Sequence, residues 1–190
     1  MAARGASTRG VARRRAQPLA GSGASVRERS PSGRRAPQPI AAAGAPIICA
    51  GVTTYKGLKQ TDARPGEWVA ISGVGGLGHL AIQYAKAMGL KVCAIDIDSG
   101  KLEHAKRLGA DAVVDATDGG AGASVVRATD GGAHGVLITA TSLDAFAQGI
   151  AMTRSRGTCV LVGLPPGDFP IPLFEVVAKC LTVRGSFVGT

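Results

Sequence analysis

The sequence predicts an α/β fold built on a doubly wound, six-stranded parallel sheet. From residue 68 onward, apolar runs of four to six residues alternate with segments of helical periodicity. The runs are continuous rather than interrupted by polar residues, which is typical of strands buried on both faces. Helical segments between such runs supply the crossovers that parallel strands require. Since 45% of the residues are apolar but only 4% are aromatic, we expect a core of small aliphatic side chains.

The predicted strands follow one another at regular intervals along the chain. They lie at 68–72, 91–95, 112–115, 135–140, 158–163 and 181–187. A helical stripe from Leu77 to Met88 follows the first strand and ends at Gly89, a residue type that often terminates helices. A shorter helix follows the second strand, and another, around 143–153, precedes the fifth.

The positive charge of the chain lies in its first 40 residues. They contain nine arginines and one acidic residue, whereas the remaining residues carry 13 basic and 12 acidic side chains. Ala, Arg, Gly, Ser and Pro dominate this segment, so it has too few apolar groups to offset the entropy lost on folding. We predict a disordered basic tail over 1–40, a connecting segment over 41–67 and a nucleotide-binding domain over 68–190.

Three other interpretations of the tail stay open. Its arginine clusters would suit a nucleic-acid-binding arm, and its Arg- and Ser-rich composition resembles an organelle transit peptide without the usual apolar helical face. Its composition is also that of GC-rich DNA translated out of frame. Because the rest of the chain is nearly neutral, we expect no nucleic-acid partner. No apolar run is long enough for a membrane span or a secretory signal, so we expect no membrane partner and a cytoplasmic location.

A glycine-rich segment, Gly73-Val-Gly-Gly-Leu-Gly78, joins the first strand to the first helical stripe. Gly73 permits a tight turn, Gly75 lets a pyrophosphate approach the backbone, and Gly78 allows helix and strand to pack closely. The helix N-terminus offers free N–H groups to the phosphates. Asp96, 18 residues after Gly78, can accept bonds from both ribose hydroxyls and would repel a 2′-phosphate. The combination predicts a Rossmann domain that binds NAD in preference to NADP.

The four cysteines are too widely spaced for a structural zinc site, since none belongs to a Cys-x-x-Cys pair. Cys93 and Cys159 fall inside predicted strands, and we expect them and Cys180 to be buried core residues. Cys49 precedes the first strand, and composition alone predicts that it too is a buried free thiol.

Four segments carry more specific motifs. They are PIICAGVTTYKGLK (46–59), GVGGLG (73–78), QYAKAMG (83–89) and VGLPPGDF (162–169). Together they resemble the zinc-dependent alcohol dehydrogenases of the medium-chain dehydrogenase superfamily, over about residues 45–190. The resemblance implies hydride transfer from an alcohol to NAD, with zinc acting as a Lewis acid.

The resemblance also implies roles for individual residues. Cys49 matches the third protein ligand of the catalytic zinc, and Thr53 matches a residue beside the nicotinamide. Asp96 and Lys101 match the pair that binds the adenosine ribose. The residues that match the pyrophosphate loop are Gly75, Gly76 and Leu77, and those that match the carboxamide and nicotinamide contacts are Val162, Leu164, Ser186 and Val188. Thr141 and Ser155 depart from the family pattern, and neither is expected to touch these contacts.

By the same resemblance, the catalytic site is incomplete in this chain. The family's zinc needs a further Cys, a His and commonly a Glu from an N-terminal domain, and none of His79, His104 and His134 matches a ligand position. Because one thiolate does not hold a catalytic zinc, we expect zinc only where the catalytic domain is supplied. We therefore expect NAD binding without turnover of an alcohol or aldehyde by the chain as given.

Two alternative interpretations of the function stay open, and the resemblance implies a contact between subunits. The chain could instead be a gene fragment that binds NAD, or has no function, without enzymatic activity. The substrate of the intact family could also be a sugar or polyol rather than a simple alcohol. The family's subunits associate through the last strand of the sheet, which implies a homo-oligomer contact near 181–188.

Overall fold

The computed structural model describes residue 44 and residues 47–189, so the tail predicted over 1–40 lies outside the described residues. The strands are β1 (Trp68–Ser72), β2 (Lys91–Asp96), β3 (Ala112–Asp115), β4 (Ala133–Ile138), β5 (Thr153–Leu161) and β6 (Thr182–Gly185). The helices are α1 (Val52–Lys59), α2 (Gly78–Ala87), α3 (Ser99–Arg107), α4 (Ala121–Ala128), α5 (Leu143–Met152) and α6 (Leu173–Ala178). A π-helical turn, Ile47–Gly51, leads into α1. Among the described helices, none is long and apolar enough to cross a membrane.

The six strands form one parallel sheet in the order β3-β2-β1-β4-β5-β6. This arrangement confirms the predicted doubly wound α/β fold. The strand order reverses at β1, which pairs with β2 on one side and with β4 on the other. In open parallel sheets of this kind, such a reversal creates a crevice beyond the carboxyl ends of the strands, where ligands bind.

Helices cover both faces of the sheet, and successive strand residues enter opposite cores. Val69 and Ile71 of β1 pack on one face with Ile82 of α2, whereas Ala70 packs on the other face with Ile150 of α5. All five side chains are completely buried. Burial on both faces explains why the strands read as continuous apolar runs.

The structure extends or adds several elements that the sequence patterns did not predict. β4 and β5 begin earlier than predicted, at Ala133 and Thr153, and β6 is shorter. Helices α1, α4 and α6 were not predicted. The buried face of α4 consists of Ala121, Gly122 and Val125, and so small a face gives almost no apolar stripe to recognise.

Two of the four cysteine expectations are confirmed and two are wrong. Cys93 and Cys159 are buried free thiols, whereas Cys49 and Cys180 are exposed. Cys180 lies in the turn between α6 and β6 with a φ of 51°, a left-handed conformation that belongs to the turn and not to the strand. Cys49 lies in the π-helical turn, outside the packed layers of the sheet.

Candidate functional site

A cleft of about 1340 Å³ opens at the carboxyl edge of the sheet, and we call it the sheet-edge cleft. Its walls are formed by the segments that follow β1, β2, β3 and β4, by part of α5 and by Ala50. It brings together half of the residues predicted to bind cofactor: Gly73, Gly75, Gly76, Leu77, Asp96 and Lys101. The crevice therefore lies at the reversal of strand order, where the topology places it.

The glycines of the loop after β1 differ in what surrounds them. Gly73 has a φ of 93°, and a Cβ there would lie 2.8 Å from the backbone nitrogen of Ala140. A Cβ on Gly78 would overlap the carbonyl oxygen of Gly73. The start of α2 can therefore pack against the loop only because residue 78 has no side chain. By contrast, a Cβ on Gly75 or Gly76 would have no other atom within 4 Å. The middle of the loop is thus free for the close approach of a ligand, while its two ends are packed.

Asp96 ends β2 as a buried carboxylate within the cleft wall. Its side chain is 6% exposed, its Oδ2 accepts the N–H of Val74 at 2.7 Å, and its Oδ1 accepts the N–H of Asp98 at 3.1 Å. The Nζ of Lys101 lies 3.6 Å from the same Oδ1. These donors stabilise the buried charge, and because each carboxylate oxygen has two lone pairs, acceptor capacity remains for hydroxyl groups of a ligand.

Gly78 begins α2. The other five predicted cofactor residues belong to α1 and to the segments that follow β5 and β6. Thr53 belongs to α1, Val162 and Leu164 follow β5, and Ser186 and Val188 follow β6. A Cβ on Gly57 of α1 would lie 3.2 Å from Val162, and Lys56 Nζ donates to the Phe187 carbonyl at 3.4 Å.

This second group adjoins the sheet-edge cleft through the segment after β5. A Cβ on Gly163 would overlap the carbonyl oxygen of Ala140, and Ala140 lines the cleft. The Ser186 hydroxyl is buried without a hydrogen-bond partner among the described residues. An additional polar group that hydrogen-bonds to it would remove the cost of this unpaired oxygen.

The single predicted zinc ligand does not form a metal site with the described residues. Cys49 is exposed, and residue 44 and residues 47–189 contain no group of three metal-ligating side chains. A catalytic zinc needs three protein ligands. The described part of the chain therefore does not fit a zinc ion, although the Thr53 hydroxyl holds the Cys49 carbonyl at 2.7 Å and so fixes the backbone beside the thiol.

Several polar residues line the cleft that the sequence did not assign to it. Thr117 follows β3, and Thr139, Thr141 and Ser142 follow β4. Thr141, one of the two departures from the family pattern, lines the same cleft as the glycines of the loop after β1. Polar residues at the carboxyl end of an apolar run are the signal that could have found them. His79, at the start of α2, also lines the cleft.

Comparison with known families and proteins agrees with the architecture. A family model described as zinc-binding dehydrogenase matches residues 76–190. Alcohol dehydrogenases from Moraxella sp. and Rhizobium meliloti are 57% and 60% identical to this chain over 146 residues, which are 77% of the chain. The chain spans about 43% of the length of these relatives.

Solved structures of dehydrogenases share the fold of this chain. An alcohol dehydrogenase from the archaeon Aeropyrum pernix superposes with a TM-score of 0.72 at 34% identity, covering 77% of this chain and 43% of that one. A zinc-binding dehydrogenase from Sinorhizobium meliloti, described as bound to NADP, has a TM-score of 0.69 at 26% identity and covers 75% of this chain and 44% of that one.

The contrast between the two pairs of thiols predicts a labelling pattern. Burial raises the pKa of both Cys93 and Cys159 to about 12, and the thiolate is the nucleophile. At about pH 8, a thiol reagent should label Cys49 and Cys180 rapidly and the buried pair only after denaturation. Mass spectrometry of the folded chain would show two modified cysteines, and a Cys49→Ser/Cys180→Ser variant would show none. Rapid labelling of all four would contradict the packed core described above.

Proposed function

Because the chain belongs to the zinc-binding dehydrogenase family, we propose that residues 45–190 form the nicotinamide-cofactor-binding part of an alcohol dehydrogenase. In this proposal residues 68–190 are the cofactor domain, and 41–67 connect it to a catalytic domain. When bound, the nicotinamide accepts hydride from a small alcohol or returns it to an aldehyde. The observation that carries the proposal is the sheet-edge cleft, which holds both the glycine loop and a buried acidic residue at the reversal of strand order.

The glycine loop is proposed to hold the pyrophosphate. Gly75 and Gly76 leave the space that phosphate oxygens need, and Leu77 continues the same wall of the cleft. The loop leads directly into α2, whose N-terminus provides backbone N–H groups and a partial positive charge. We therefore assign the negative charges of the cofactor to this end of the cleft.

Asp96 is proposed to bind the adenosine ribose and to select NAD over NADP. Its carboxylate is held in one orientation by the N–H groups of Val74 and Asp98. A 2′-phosphate placed against this buried negative charge would be repelled, and the half-exposed ammonium of Lys101 offsets the repulsion only in part. NAD is accordingly the cofactor that we propose.

The nicotinamide is proposed to lie between α1 and the ends of β5 and β6. The residues proposed to contact it are Thr53, Val162, Leu164, Ser186 and Val188. Support comes from the close approach of Val162 to Gly57 of α1 and from the unpaired Ser186 hydroxyl, which would find a partner in a carboxamide. Cys49 would bind zinc only with ligands from a catalytic domain, because the described residues contain no group of three metal-ligating side chains. We assign no step to that metal.

For location we propose the cytoplasm, where the thiols of Cys49, Cys93, Cys159 and Cys180 would stay reduced. This assignment agrees with their being free in the structure.

Replacement of Asp96 tests whether the sheet-edge cleft binds the cofactor and whether it prefers NAD⁺ to NADP⁺. The Asp96→Asn variant keeps an oxygen that can accept the Val74 N–H but removes the charge. We expect its dissociation constant for NAD⁺ to rise by about tenfold or more. The dissociation constant for NADP⁺ should rise much less, so that the preference for NAD⁺ narrows. Calorimetric titration of the full chain with each cofactor measures both constants.

A matched control lies on the neighbouring strand. Asp115 pairs with Asp96 in the register of β2 and β3, is exposed, and accepts the N–H of Thr117 at 2.9 Å. The Asp115→Asn variant should bind both cofactors like the unaltered chain. An unaltered chain that binds neither cofactor would favour the alternative of a fragment without function.

A homo-oligomer through the last strand is proposed as well. Within the described residues β6 pairs only with β5, and the preceding helix exposes Phe174 by 88% and Val177 by 74%. An unpaired strand edge beside apolar side chains is suited to pair with a second copy.

Charge introduced into this surface tests the oligomer. A Phe174→Asp/Val177→Asp variant should sediment as a monomer where the unaltered chain sediments as a dimer, because buried carboxylates would lack partners. Ile48→Asp, at a similarly exposed apolar residue in the π-helical turn, is the control and should leave the dimer intact. A monomeric unaltered chain would refute this assembly.

A further inference from the structure

Two side chains outside the predicted cofactor set hydrogen-bond to two of the glycine carbonyls in the loop after β1. We propose that Thr139 and His79 are positioning residues that keep the carbonyl oxygens of Gly73 and Gly75 turned away from a bound pyrophosphate. The inference rests on the proposed function, since it requires that the sheet-edge cleft bind a dinucleotide.

Thr139 fixes the first carbonyl. Its hydroxyl donates to the Gly73 oxygen at 2.8 Å and lies 3.1 Å from the Ser72 oxygen. The backbone N–H of Thr139 donates to the Ser72 carbonyl oxygen at 2.9 Å. This bond ties the end of β4 to β1 and so holds the Thr139 side chain in place. The Gly73 oxygen also packs against Gly78, where a Cβ would overlap it. This carbonyl is therefore held from two sides.

His79 fixes the second carbonyl. Its ring Nδ1 lies 2.9 Å from the Gly75 oxygen, and its backbone N–H donates to the same oxygen at 3.2 Å. A carbonyl oxygen can only accept a hydrogen bond, so the contact requires the proton on Nδ1. The side chain thus adds a second donor at the start of α2.

The flexibility of the loop explains why such tethers matter. Gly75 and Gly76 have no side chain, and no atom lies within 4 Å of their Cβ positions, so without a tether little opposes rotation of the peptide group between them. An anion is bound by backbone N–H groups, and a carbonyl oxygen rotated into the same space would repel it. In a trans peptide the N–H points away from the carbonyl oxygen of the same peptide group. Holding the Gly73 oxygen therefore keeps the Val74 N–H on the Asp96 carboxylate, and holding the Gly75 oxygen keeps the Gly76 N–H available to an anion.

Matched variants separate this role from a general contribution to folding. Thr139→Val removes the hydroxyl while keeping the shape, and Thr139→Ser retains it. His79→Ala removes the ring donor, and Gln83→Ala is its control, because Gln83 lies one turn later on α2 and donates to the His79 carbonyl at 3.1 Å. Each full-length variant is titrated with NAD⁺ and with adenosine, which has the ribose but no phosphate.

We expect Thr139→Val and His79→Ala each to raise the dissociation constant for NAD⁺ by about five- to tenfold, the effect of one lost hydrogen bond. The constant for adenosine should stay within about twofold in both, and Thr139→Ser and Gln83→Ala should bind NAD⁺ normally. In nitrogen–proton correlation spectra without ligand, the amide signals of residues 73–76 should shift in the two weakened variants.

Three results would overturn the inference. One is NAD⁺ affinity that is unchanged in either variant; another is an equal loss of adenosine affinity, which would indicate a general structural role. A third is weaker NAD⁺ binding with unshifted loop amides, which would indicate direct contact with the ligand. Failure of the unaltered chain to bind NAD⁺ would overturn the proposed function itself, and this inference with it.

Discussion

The bond from the Val74 N–H to the Asp96 carboxylate, 2.7 Å long, joins the ends of two neighbouring strands. It fixes the first residue after the Gly73 turn to the tip of β2, so that the glycine loop and the acidic residue share one cleft. A buried carboxylate is stable only when hydrogen-bonded, and here the backbone supplies two of its donors. The charge that would recognise a ribose is therefore also a structural element of the loop that would hold the pyrophosphate.

The remaining parts of the site depend on the close packing of backbone around this junction. Gly78 brings α2 onto the Gly73 carbonyl, and Gly163 brings the segment after β5 onto Ala140. At both places a side chain would overlap a carbonyl oxygen, so glycine is required by contact and not by flexibility alone. Through the second of these contacts the segment after β5 adjoins the sheet-edge cleft, on the side where the nicotinamide is proposed to bind.

Much of this arrangement could be predicted from sequence, because its causes are local. Strands buried on both faces read as apolar runs, and the glycine loop followed by Asp96 has a spacing that few other structures require. The start of β5 was missed because Arg154 and Ser155 interrupt the pattern, and α4 because its buried face is made of alanine and glycine. The hydrogen bond from Thr139 to the loop could not be predicted, since it depends on a carbonyl 66 positions earlier in the chain. The exposure of Cys180 depends on a left-handed turn that its own residue type does not favour.

The central claim is that a dinucleotide binds at the carboxyl edge of the sheet, over the loop after β1. Titration of the isotope-labelled full chain with NAD⁺, followed by nitrogen–proton correlation spectra, tests it most directly. The account predicts that the largest shifts fall at residues 73–79, 96–101 and 139–142. Amides at the opposite edge, around Glu67 and His134, should change little, since that edge is far from the cleft lining. Shifts concentrated at that opposite edge, or no shifts at all, would contradict the account.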